Sequence, residues 1–197
     1  MKIFISWSGD KSREVGELLN DWLQCVLQTV KPWISSEDID KGSLWFSEIN
    51  DQFKDTSLGI ICLTKANKEK PWILFEAGAL AKGLSANRIC TFLIDLQPHD
   101  IKDPLAQFNH TLPIKKDIKK LVKTINASLG EKSLKEKTLD QVFETYWTQF
   151  EEKFKEIENR LPDTTPPVEN ESKDILSEIL SLSRNLDKRL RNVENNN

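Results

Sequence analysis

Two uninterrupted apolar segments constrain the fold of this chain more than any other feature. They are "LGIICLT" (58–64) and "RICTFLID" (88–95). A strand that is apolar along its whole length must be covered on both faces, which is typical of a parallel sheet between two layers of helices. The opening segment "KIFISW" (2–7) predicts a third strand of this kind.

Helical patterns alternate with these strands, in the segments 11–28, 43–54, 71–83 and 118–129. Residues 29–34 are expected to be extended, and Pro32 favours an edge or irregular strand there. We expect the span 96–114 to be irregular, with a short helix and a short last strand. This order predicts an α/β protein, a flavodoxin-like three-layer sandwich with a central parallel sheet and a C-terminal helical extension.

Ligands of such sheets bind outside the carboxyl ends of the strands. The loops expected to matter are therefore 7–11, 35–43, 64–71 and 95–113.

Composition excludes several classes of function. The formal net charge is −3, so the chain has no electrostatic footprint for nucleic acid or an anionic membrane. No apolar run approaches the ~20 residues that span a bilayer, and we expect a cytoplasmic protein. The three cysteines are widely spaced without a CxxC pair, and the two histidines lack ligand spacing. These patterns indicate reduced thiols and predict no metal site.

The C-terminal part divides by composition. We predict a first domain over 1–130, a long helix over 131–161 that packs on or extends it, and a polar, proline-rich linker over 162–173. The tail 174–197 is predicted to be an amphipathic helix, with an apolar stripe of Ile175, Ile179, Leu182, Leu186 and Val193. About three heptads are the minimum for a coiled coil, so residues 174–194 could either mediate self-association or dock on the domain.

One carboxylate stands in an unusual place. Glu76 lies within "KEKPWILFEAGALAKGL" (68–84), an otherwise apolar run rich in alanine and glycine. Burying an unpaired carboxylate is costly. Glu76 therefore either points outward from its helix, the plainer interpretation of the residues alone, or lines a site.

Four segments in order resemble the TIR (Toll/interleukin-1 receptor) domain family. "KIFISW" with "SGDKSREVGELLNDWL" resembles the first strand and helix of that family. "VKPWISSEDIDKGSLWFSEI" is similar to its second strand, BB loop and next helix. "SLGIICLTKANKEKPWILFEAGAL" resembles its third strand and the helix with the W-x-x-x-E element, here Trp72 and Glu76. The resemblance covers about residues 2–130.

This resemblance implies a function. In enzymatic TIR domains the glutamate of W-x-x-x-E cleaves the nicotinamide–ribose bond of NAD+, in a composite site between two adjacent domains. Glu76 would then be catalytic, NAD+ would be the substrate, and no cofactor would be needed. The chemistry suits one carboxylate: nicotinamide leaves as a neutral base without a general acid, unlike the leaving group of an ordinary glycosidase. Trp72 lies one helical turn before Glu76, so an aromatic face is available to a cationic ring.

Other site residues follow from the resemblance with less support. Trp7, Ser8 and Asp10 occupy the loop after the first strand, where the family contacts the nucleotide; capping of the next helix is the alternative for Ser8 and Asp10. Trp33 would stack on a ring of the substrate or pack in the core. The BB loop, which in this family gates the site or contacts a neighbour, comprises Asp38, Ile39, Lys41 and Gly42, and Trp45 would anchor that loop or touch a neighbour.

Alternative functions remain open. A receiver domain needs an acidic pair after the first strand and an acidic residue after the third, and this chain has neither. A flavodoxin needs a phosphate loop that "SWSGDKS" matches only in part. A non-catalytic TIR adaptor that binds other TIR domains is the alternative of another class. Among enzymes, the resemblance to bacterial anti-phage members, Thoeris-like or stand-alone, implies either NAD+ depletion or synthesis of a cyclic or conjugated ADP-ribose signal for a partner effector or sensor.

Overall fold

The computed structural model describes residues 1–34, 56–83 and 88–161. The predicted helix at 43–54, the linker at 162–173 and the tail helix at 174–197 lie outside the described residues. The strands and helices are, in chain order, β1 (Lys2–Ser6), α1 (Asp10–Val26), β2 (Lys31–Ile34), β3 (Thr56–Leu63), α2 (Pro71–Gly83), β4 (Ile89–Leu93), β5 (Asn109–Thr111), α3 (Lys115–Ala127) and α4 (Glu136–Arg160).

The five strands form one parallel sheet in the order β2-β1-β3-β4-β5. This arrangement confirms the predicted α/β fold with a central parallel sheet. The strand β2, which contains Pro32, lies at one edge, as its proline predicted. The span 96–114 contains two short 3-10 helices, Pro98–Asp100 and Leu105–Gln107, before the short strand β5.

Successive residues of a strand point to opposite faces, and the two cores follow this period. On one face, Ile3 and Ile5 of β1 pack in a cluster with side chains of α1, α3 and α4. On the other face, Phe4 of β1 packs in a second cluster with Ile61 and Leu63 of β3 and with α2. The helices thus cover both faces of the sheet.

The helix α4 is part of the first core. Phe143, Phe150 and Phe154 of α4 are buried there, and the rings of Trp22 and Phe150 lie 4.8 Å apart. The indole N–H of Trp22 in α1 donates to the backbone carbonyl of Tyr146, at 3.0 Å. In the described ranges, no helix is both long and apolar enough to cross a membrane.

A glycine in β3 sets how closely α2 approaches the sheet. A Cβ atom added to Gly59 would lie 3.0 Å from Cδ1 and 3.3 Å from Cδ2 of Leu80. Leu80 is completely buried, so its side chain has little room to yield. The missing Cβ therefore lets α2 pack closely against β3, one turn after Glu76.

We predict that Gly59→Ala lowers the free energy of unfolding by about 1–2 kcal/mol, because overpacking against Leu80 outweighs the gain in strand propensity. The matched control is Gly78→Ala in the same region, since Gly78 is exposed and an added Cβ there meets nothing within 4 Å. It should raise stability by up to ~1 kcal/mol through helix propensity. Denaturant unfolding of both variants checks this, and a stabilised Gly59→Ala variant would contradict it.

Candidate active site

The carboxyl ends of β1, β3 and β4 come together at one edge of the sheet. Ser6 is the last residue of β1, Thr64 follows β3, and Asp95 lies two residues beyond β4. This is the edge at which parallel α/β sheets bind ligands. Buried polar side chains near this edge come from the strand β1, from α1 and α2, and from the loop after β3.

Glu76 lies at this edge and is completely buried. The apolar face of α2 packs on the sheet. Its side chains there are Ile73, Ala77 and Leu80, which lie in one cluster with Phe4 and Leu63. The hydroxyl of Ser6 donates a hydrogen bond to Oε2 of Glu76. The interpretation that Glu76 points outward from its helix is therefore wrong. A hydrogen bond donated to a carboxylate favours its ionised form and offsets part of the cost of desolvation.

Asn67 connects the ends of β3 and β1. It is completely buried, and its Oδ1 accepts from the backbone N–H of Thr64 at 2.8 Å. Its Nδ2 donates to the carbonyl of Cys62 at 3.0 Å and to the carbonyl of Ser8 at 3.1 Å. The bond to Ser8 ties the loop after β1 to the loop after β3, and the other two bonds hold Asn67 at the end of β3.

A charged cluster lies beside that loop. Nζ of Lys11 lies 3.1 Å from Oδ2 of Asp95, and Oδ1 of Asp95 accepts from the backbone N–H of Lys65 at 2.8 Å. The Lys11 and Asp95 side chains are only 15% and 10% exposed. Burial raises the pKa of the nearby Glu158 carboxyl of α4; the charge of Lys11 opposes this shift and that of Asp95 adds to it. The Glu158 carboxyl of α4 is therefore close enough to Lys11 and Asp95 for their charges to act on it.

Two predicted aromatic residues lie on the same face of the sheet as Glu76. Trp33 of β2 pairs with Phe4 of β1 in the strand register, and their ring centroids are 5.0 Å apart. Trp72 is half-buried in the first turn of α2, with its ring 6.1 Å from that of Phe75. The core packing of Trp33 is therefore observed, and both tryptophans are partly exposed.

The residues predicted after β1 are placed differently. Trp7 points to the opposite face of the sheet, where it packs in the first cluster beside α1. The guanidinium carbon of Arg13 lies over its ring, 5.9 Å from the ring centroid. Asp10 is exposed, and its Oδ1 lies 3.4 Å from Nη2 of Arg13. Neither Ser8 nor Asp10 caps α1 with its side chain; Gly9, at φ 89°, occupies the cap position. The Ser12 hydroxyl instead donates to the Ser8 carbonyl at 2.7 Å.

The five residues predicted in and beside the BB loop, Asp38, Ile39, Lys41, Gly42 and Trp45, lie outside the described residues. Within the described ranges, no cluster of three histidine, cysteine, aspartate or glutamate side chains could hold a metal ion. Burial raises the pKa of the Cys62 thiol to about 12, so this cysteine is no nucleophile.

Sequence reasoning missed several residues of this edge, and Ser6 and Asn67 are the two with the clearest roles. The period of two in "KIFISW" could have found Ser6, since it places Phe4 and Ser6 on one face and Ile3, Ile5 and Trp7 on the other. Asn67 gave no such signal, because its role depends on loop geometry that no periodicity encodes.

Comparison with protein families matches the TIR domain to residues 3–125, which is more than half of the chain. The chain belongs to the TIR domain family. This family includes enzymes that cleave NAD+ and adaptors that only bind other TIR domains. The matched region ends before α4 begins.

Among solved structures, the TIR domains of the activated Roq1 resistosome, which directly recognises the pathogen effector XopQ, match with 14% sequence identity and a TM-score of 0.40. The match covers 90% of this chain and 98% of that chain. A likeness at this level carries no functional conclusion. Comparison with curated proteins finds no match.

We predict that Asn67→Ala destabilises the protein by about 2–4 kcal/mol, because it leaves buried backbone groups without partners. The matched control is Asn126→Ala, which removes the two bonds of another buried asparagine to the backbone of Leu134. Both variants should lose stability, but only Asn67→Ala should speed amide hydrogen exchange in residues 7–12. Unchanged exchange there would contradict the assigned role of Asn67.

Proposed function

We propose that this TIR domain is an NAD+ nucleosidase that cleaves the nicotinamide–ribose bond in bacterial anti-phage defence, with Glu76 as the catalytic residue. The observation that carries the proposal is the buried carboxylate of Glu76 at the carboxyl edge of the sheet, hydrogen-bonded to the last residue of β1. This placement puts a negative charge where α/β sheets bind ligands.

The reaction needs no general acid from the protein. The bond between C1′ of the ribose and the pyridinium nitrogen breaks, and its electron pair goes to nicotinamide, which leaves neutral. The ribose becomes oxocarbenium-like, and the Glu76 carboxylate stabilises that positive charge in a site of low dielectric. Water then attacks C1′ and gives up a proton, which yields ADP-ribose. If a hydroxyl of the adenosine half of the molecule attacks C1′ in place of water and loses its proton, the product is a cyclic ADP-ribose; if a separate acceptor attacks, the product is a conjugated ADP-ribose.

A structural role for Glu76 is the competing explanation, and the setting of the residue weighs against it. Helices that only cover a sheet gain stability from apolar side chains on their inner face, and α2 supplies them at Ile73, Ala77 and Leu80. A carboxylate on that face costs desolvation that an alanine or leucine would avoid. On the sheet side, β1 supplies the Ser6 hydroxyl as a hydrogen-bond donor to this carboxylate. Such a costly group suits a residue that meets a cationic substrate.

Complete burial of Glu76 also bears on regulation. A ribose can contact the carboxylate only after neighbouring side chains move, so the resting chain should turn over slowly. We propose that self-association of TIR domains, assisted by residues 174–194, produces the active arrangement. A partner protein would either sense the trigger or receive the ADP-ribose signal. We expect the enzyme to act in the cytoplasm, which suits three cysteines that form no disulfide.

The test is mass spectrometry of the purified protein incubated with NAD+ over a range of protein concentrations. The wild type should release nicotinamide, with a specific activity that rises with concentration. Glu76→Gln should lose about a hundredfold or more of this activity, the scale on which transition-state charge stabilisation acts. Its thermal stability should stay nearly intact, because the glutamine amide can still accept from Ser6.

The matched control is Glu69→Gln, which removes an exposed carboxylate just before α2. It should keep full activity. Equal losses in both variants would indicate a general charge effect, and a large loss of stability in Glu76→Gln would indicate a structural glutamate. No nicotinamide from the wild type, even when the chains are forced to cluster, would favour the adaptor. Linear ADP-ribose would indicate depletion of NAD+, and a cyclic or conjugated product would indicate a signal.

We further predict that deletion of residues 162–197 reduces oligomer size or NAD+ turnover at equal protein concentration. Light scattering and the same assay measure both quantities. The deletion leaves the packed helix α4 complete, so the fold should survive it. An unchanged assembly with full activity would exclude a role of the tail in self-association.

A further inference from the structure

We propose that Ser6 is a positioning residue of this site: its hydroxyl, held at the end of β1, orients the Glu76 carboxylate for the reaction. This inference rests on the proposed function. It concerns a residue that no periodic pattern of α2 and no W-x-x-x-E element includes. Its basis is the hydrogen bond from the Ser6 hydroxyl to Oε2 of Glu76, which joins residues 70 positions apart.

The donor stands on a rigid support. The strand β1 lies inside the sheet, between β2 and β3, and Ser6 pairs with Ile61 of β3. Ser6 is completely buried. Its hydroxyl oxygen is one bond from Cβ, so its position follows the strand closely. Side chains on strands hold a functional geometry more tightly than side chains on loops.

The acceptor needs such a support more than most residues. A glutamate has three rotatable side-chain bonds, and an unrestrained carboxylate would sample several rotamers. The helix α2 is fixed against β3 by the close contact of Gly59 and Leu80. With the helix fixed at its backbone and the carboxylate fixed by Ser6, little freedom is left to the charge. An oriented charge stabilises a transition state without reorganising during the reaction.

The test compares Ser6→Ala, which removes the donor, with Ser6→Thr, which keeps it. The control is Thr91→Val, which removes a completely buried hydroxyl that is bonded to His110 and lies two strands from Ser6, on β4. We expect Ser6→Ala to lower kcat for nicotinamide release about tenfold or more, the scale of a lost hydrogen bond to a charged group, with little change in KM. Thr91→Val should keep the wild-type kcat.

Two further measurements separate positioning from structure. The melting temperatures of Ser6→Ala and Thr91→Val should fall by similar amounts, so that lost stability does not explain the lost kcat. Ser6→Thr should recover most of the rate. If its added methyl group overpacks the site and the variant unfolds, Ser6→Cys replaces it. The thiol is a weak donor of similar volume, and its kcat should lie between those of alanine and serine.

Several results would overturn the inference while leaving the proposed function standing. One is a kcat of Ser6→Ala that stays within twofold of the wild-type value. Another is a fall in the kcat of Thr91→Val as large as that of Ser6→Ala. A rise in the basal rate of Ser6→Ala would also overturn it, and would mean that the bond holds Glu76 in a resting position. If the clustered wild type releases no nicotinamide, the proposed function and this inference fail together.

Discussion

The alternation of side chains along β1 decides which groups this molecule presents at the carboxyl edge of its sheet. Because successive residues point to opposite faces, Ile3, Ile5 and Trp7 enter the core under α1, whereas Phe4 and Ser6 face α2. A shift of the register by one residue would place Trp7 beside α2 and remove the hydroxyl from Glu76. The helical layers, the central place of β1 and the site all depend on this register.

The same architecture places an unfavourable group where it is useful. The two apolar clusters hold the helices firmly on the sheet, and most of the free energy of folding comes from that burial. Against this background the protein keeps Glu76 buried, although a carboxylate there costs stability. Stability is therefore lost at the position where the proposed chemistry needs a desolvated charge, a pattern common at functional sites.

The sequence predicted the layers better than it predicted the site. Continuous apolar strands and amphipathic helices specified the parallel sheet, and Pro32 indicated the edge strand, because burial patterns repeat along the chain. The helical position of Glu76 was also predictable, but its burial was not, since one charge in an apolar helix fits either orientation. Asn67 shows the limit, because its bonds depend on the meeting of two loops that are distant in sequence.

A structure of the inactive Glu76→Gln variant in its assembled form with NAD+ would test the central claim most directly. Our account predicts that the nicotinamide ribose contacts the side chain at position 76 and that the Ser6 hydroxyl remains hydrogen-bonded to that side chain. NAD+ bound elsewhere, with residue 76 still buried away from it, would contradict the account and leave the glutamate as a structural residue of an adaptor.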